Sequence, residues 1–114
     1  MTNADVVAGL SANHASYHCT IITSFIPATA PIYLNQFEKL KRHLKREKVQ
    51  VLHLMNWKGH LAARDVRRLR QHWQLSYREN SAVLLDKRLQ LLQRYEKGFD
   101  LVDALMRCKE SISN

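Results

Sequence analysis

The stretch LAARDVRRLRQHWQLSYRENSAVLLDKRLQLLQRYEKG, residues 61–98, decides how this chain reads. Leu61, Ala62, Val66, Leu69 and Trp73 recur every three or four positions, which predicts a helix ending near Gln74. Ser76 is followed three residues later by Glu79, a capping-box pair, so a new helix is expected to start there. Leu84 and Leu85 lead into Asp86, which can end one helix or cap the next, and Gly98 closes a basic helix after Gln93-Arg94-Tyr95-Glu96-Lys97. A single continuous helix over residues 76–97 is the alternative, and the lack of a glycine between its halves favours it.

Outward from this stretch the pattern stays helical. Phe37, Leu40, Leu44, Val51 and Met55 form one apolar stripe from about Leu34 to Trp57, opposite a face of Lys and Arg, with Gly59 as the stop. Glu47 and Lys48 interrupt that seam, which argues against a long coiled coil. Leu101, Val102, Leu105 and Met106 suit a last short helix. Near the start, Val6, Val7, Leu10, Tyr17, Ile21 and Phe25 also fall at helical spacing, although the β-branched run Cys19–Ile26 would suit a strand. Helix is the reading taken, which makes the expected fold all-α. The expected division is an apolar N-terminal segment over 1–33, a basic amphipathic helix over 34–58, a domain over 59–110 and a tail over 111–114.

Residues 60–110 resemble the lambda-repressor-like (Cro/repressor, Xre-type) helix-turn-helix domain. Val66, Leu69-Arg70, Leu75-Ser76, Glu79, Leu92, Arg94-Tyr95-Glu96 and Gly98 fall on that pattern. The departures are Tyr77 for the usual Gln, Asn80 for an apolar residue, and Leu85-Asp86-Lys87-Arg88 in place of a Gly-Val-Ser turn. The resemblance implies a recognition helix from near Asp86 to Lys97. Arg88, Gln90, Gln93 and Arg94 would then read base edges in the major groove. Tyr77, Arg78, Lys87, Lys97 and Arg67 would meet phosphates, which set register without reading sequence. It also implies an ion pair between Arg70 and Glu96.

Charge points the same way. The 114 residues hold 18 Lys and Arg against 10 Asp and Glu, a formal charge of +8. Residues 37–98 alone carry 16 basic side chains against six acids, while residues 1–36 hold one charged group, Asp5. A basic middle between near-neutral ends suits a polyanionic partner. No apolar run is long enough to span a bilayer, and no signal-peptide pattern opens the chain. Cys19 and Cys108 form no C-x-x-C, so a reducing cytoplasm is expected. His14 and His18 stand four apart beside Cys19, but no acid or further thiol completes a metal set. Phosphate loops, HExxH and nucleophile elbows are absent. The expectation is therefore no enzyme, no cofactor and no metal. It is a regulator that binds double-stranded DNA as a homodimer on an inverted repeat, with residues 1–57 as dimer contact or protein-partner surface. The competing class is a small adaptor, inhibitor or antitoxin that meets an acidic protein partner.

Overall fold

A computed structural model of the chain describes residues 16–54 and 63–113. Among these the elements run β1 (Cys19–Ser24), α1 (Ala30–Lys39), α2 (Lys41–Arg46), β2 (Val49–His53), α3 (Ala63–Trp73), β3 (Ser81–Leu85), β4 (Leu91–Tyr95) and α4 (Leu101–Ser113). The four strands form one mixed sheet in the order β2-β1-β3-β4. β2 runs parallel to β1, with Ile21 opposite Val51, whereas β3 runs antiparallel to β1, with Ile21 opposite Leu84. The all-α expectation is thus wrong. The chain is an α/β fold.

The sheet is covered on both faces. Cys19, Ile21, Ala82 and Leu84 pack with Phe37 of α1, Leu44 of α2 and Leu101, Ala104 and Cys108 of α4. Ile22, Val83 and Leu85 pack on the other face with Val66, Leu69 and Trp73 of α3. Central strands buried on both faces read as continuous apolar runs without alternation. Every residue of Cys19–Ser24 and Ser81–Leu85 is buried, so neither strand alternates between exposed and buried positions, and Thr20, Thr23 and Ser24 are buried as polar side chains.

The helix-turn-helix reading fails at the same place. Residues 81–95, expected to span two helices and their turn, are a β-hairpin with Val83 opposite Arg94 and a register shift at Leu84/Leu85. Asp86 organises its loop: one carboxylate oxygen accepts from the backbone N–H groups of Arg88 (2.8 Å) and Gln90 (2.9 Å). Leu89 completes the loop in a left-handed conformation, φ 63°. The Ser76 hydroxyl accepts from Arg78 N–H at 3.0 Å, so the supposed capping box makes a local loop bond and no helix follows it.

The expected long helix over 34–57 is likewise broken. α1 ends at Lys39 with Leu40 as its C-cap, α2 ends at Arg46, and Lys48 turns the chain with φ 55° into β2. Glu47 and Lys48, which interrupt the apolar seam, mark that turn. Residues 1–15, together with Met55, Trp57, Gly59, Leu61 and Ala62, lie outside the described residues, and with them His14 and the first part of the expected dimer surface.

Cys19 at the start of β1 and Cys108 in α4 form a disulfide, with Cα atoms 6.1 Å apart. The two cysteines form no C-x-x-C, yet folding brings together the ends of an 89-residue separation. No helix among the described residues is long and apolar enough to cross a membrane.

Candidate anion-binding groove

α3 is amphipathic: Val66, Leu69 and Trp73 are buried, while Arg64, Arg67, Arg68 and Gln71 are exposed. Arg70 falls at the edge between these two faces and is half-buried. The helix closes in a Schellman arrangement, with Gln74 left-handed (φ 54°) and Leu75 N–H donating to the Arg70 carbonyl at 2.9 Å. Leu75 is buried by that turn, which sends residues 76–80 across the carboxyl end of β1.

There the polar groups converge. The Arg70 guanidinium donates to the Ser24 hydroxyl and, at 2.6 Å, to the Leu54 carbonyl. The Ser24 hydroxyl donates in turn to the Ser76 carbonyl at 2.9 Å. Arg70 therefore ties α3 to the ends of β1 and β2. Among the described residues no carboxylate pairs with it; the ion pairs there are Arg64–Asp65 at 4.0 Å and Arg107–Asp103 at 2.8 Å. Burial without a counter-ion lowers the guanidinium pKa from its ordinary value.

Arg70 lines a groove of 870 Å³ between α3 and the loop that follows it. Arg67, Gln71, Gln74, Tyr77 and Arg78 line it as well, and among the described residues no acidic one does. Tyr77 is 66% exposed, with the Arg78 guanidinium 5.7 Å from the centre of its ring. The groove lies beside the carboxyl end of β1, because Arg70 and Ser76, which line it, both bond to Ser24 there. In α/β sheets ligands favour the crevice outside the carboxyl ends of strands.

The residues singled out from sequence divide. Arg67, Tyr77 and Arg78, expected at phosphates, come together in the groove with Arg70. Lys87, Arg88 and Gln90 lie instead on the β3–β4 loop, beside His18, Ser111 and Ile112. Gln93 and Arg94 are on β4, so the four expected base readers share no helix face. Arg94 donates to the Trp73 carbonyl (2.5 Å) and the Gln74 carbonyl (3.4 Å), which satisfies the C-terminus of α3. Lys97 turns the chain after β4 with φ 60°, and Glu96 beside it is exposed. The expected Arg70–Glu96 pair is absent among the described ion pairs: Arg70 turns instead to Ser24 and Leu54, while Glu96 is exposed just after β4.

Sequence reasoning missed Ser24 and the Leu54 carbonyl, and read Ser76 as a helix cap. A backbone acceptor leaves no mark in a sequence, and two serines 52 apart signal nothing until the sheet brings them together. Cys19 is in the disulfide, so it offers no thiolate to a metal beside His18. Among the described residues no cluster of three or more metal-binding side chains forms. No family model, no curated protein and no solved structure matches the chain.

Proposed function

We propose that this domain is a docking module without catalytic chemistry of its own, which holds an acidic segment of a protein partner. The observation that carries the reading is the groove: Arg67, Arg70 and Arg78 all line it, and among the described residues no acid does. Arginine clusters of this kind suit planar anionic groups, which they grip with paired N–H donors. A protein is favoured over double-stranded DNA by the disulfide. Both sulfur-bearing residues are buried, Cys19 at 1% and Cys108 at 2% exposure. Structural disulfides persist in oxidising compartments and are rare in cytosolic and nuclear proteins. The reading therefore places the domain outside the reducing cytoplasm.

The test is fluorescence anisotropy of the full chain, oxidised, with a labelled decaglutamate and with a labelled duplex of comparable charge. Peptide binding is expected to persist at about 0.2 M salt, where non-specific duplex binding has fallen by a factor of about 10³ or more. Tighter binding of the duplex than of the peptide at that salt would overturn the reading and return the domain to the nucleic-acid class.

A further inference from the structure

We infer that the floor of the groove is a carboxylate site, in which Arg70 receives one Asp or Glu side chain of the partner. The inference deepens the docking reading and rests on it. A half-buried cation usually has a partner charge, since desolvation without one is costly. Arg70 has none among the described residues, yet it is held rigidly. Ser24 and Leu54 take two of the guanidinium's five N–H donors and fix the plane of the group. An orientation fixed in advance spares the side-chain ordering cost of binding. Ser24 is itself oriented by the Ser76 carbonyl, so the site is built from β1, β2, α3 and the loop after α3 together.

The surroundings narrow the occupant. Arg67 and Arg78 flank the floor, while Gln71 and Gln74 offer neutral donors and acceptors along one wall. Tyr77 stands mostly exposed at the rim, with Arg78 against its ring. A carboxylate on Arg70, with further acids reaching Arg67 and Arg78 and a side chain lying against Tyr77, fills this arrangement. The basic side chains of the β3–β4 loop, Lys87 and Arg88, belong to a different pocket and take no part.

Two double variants with equal change of charge test this: Arg67→Glu with Arg78→Glu in the groove, and Lys87→Glu with Arg88→Glu on the loop. All four side chains are exposed, so both variants are expected to fold. With labelled decaglutamate at about 0.15 M salt, where charges more than ~8 Å apart are largely screened, the groove variant is expected to bind at least about tenfold more weakly. The loop variant is expected to lose no more than about threefold. Equal losses would overturn the groove site while leaving the docking reading standing. Absence of binding by the unaltered chain would overturn both. A second readout addresses the floor itself: nitrogen-15 spectra should show the Arg70 Nε–H resonance moving to saturation as peptide is added. An unmoved Arg70 resonance beside moving Arg67 and Arg78 resonances would remove Arg70 from the site.

Discussion

Asn80 holds together three segments that no single element joins. Its side-chain oxygen accepts from Ile26 N–H at 2.8 Å, its amide nitrogen donates to the Thr29 hydroxyl at 2.8 Å, and its carbonyl accepts from Gly98 N–H at 2.7 Å. The residue that departs from the helix-turn-helix pattern is thus a hub for the β1–α1 loop and the turn before α4. Gly98 is needed there for its own conformation, φ 143°, which side chains rarely adopt. A second polar chain lies on α4: the Tyr95 hydroxyl donates to Asp103 at 2.6 Å, and Arg107 Nε donates to the same oxygen at 2.8 Å. The Tyr95 hydrogen bond, then the Arg107 one, holds the Asp103 carboxyl below its ordinary pKa. A depressed carboxylate adds stability above its unfolded pKa and loses it as pH falls below about 4. Burial, with Asp103 second, raises the Tyr95 phenol above its ordinary value, so its contribution is present below about pH 10 and fades as pH climbs beyond. Urea midpoints of Asp103→Asn against the unaltered chain should therefore converge as pH drops from 5 towards 2. Absorbance at about 295 nm should show Tyr95 titrating at lower pH in the variant, though still above an exposed tyrosine, because its burial remains. A stability difference that stays constant across the acid range would refute the assignment.

Elements were legible in the sequence where a face is exposed and illegible where it is not. The α3 stripe of Val66, Leu69 and Trp73 is visible because Arg64, Arg67 and Arg68 alternate with it at helical spacing, and all three apolar residues are buried. Ser-Ala-Val-Leu-Leu of β3 carries no such contrast, since all five residues are buried between helix layers. An apolar run that short fits a buried strand or a buried helix equally by periodicity. The neighbouring Leu91–Tyr95 looked helical only by continuation from it. Gly98 was read as a stop and does follow the end of an element, although that element is a strand, whereas the interruption of the apolar seam at Glu47-Lys48 was not read as the end of the helix that it is. The candidate groove was half visible, as basic residues without their arrangement, because Arg70 acquires its role from strands distant in sequence. The hairpin makes a prediction that a helix over 76–97 would not. Leu84 sits fully buried on β3, one of the two inner strands, whereas Leu91 on edge strand β4 is 47% exposed. Leu84→Ala should cost about 2–5 kcal/mol in urea unfolding. Leu91→Ala should cost only about 0.5 kcal/mol. Similar costs at the two positions would contradict this placement of the strands.

At the scale of the whole molecule, one covalent bond crosses the layers. Cys19 opens β1 in the sheet and Cys108 lies in α4 on one face, so the disulfide fastens the last described helix to the first described strand across 89 positions. Closing a loop of about that length removes denatured-state entropy worth about 4–5 kcal/mol on the chain-entropy account, and measured gains of about 2–5 kcal/mol are usual. The helix does not depend on the bond alone, because Leu101 and Ala104 are buried in the same cluster as Ile21 and Leu84. The reduced chain should therefore keep its fold and lose part of its stability. Cys19→Ala with Cys108→Ala is expected to lower the unfolding free energy by about 2–5 kcal/mol. The same midpoint should be reached by the unaltered chain once fully reduced. Burial adds a kinetic consequence: thiol reductants can reach the sulfurs only when α4 lifts from the sheet or the chain unfolds. Reduction by dithiothreitol should accordingly be slow in native conditions and accelerate as urea approaches the midpoint, followed by thiol titration over time. Rapid reduction in the absence of urea would show that α4 is not seated on the sheet as described, and an unchanged midpoint after reduction would show that the bond does not constrain the unfolded chain.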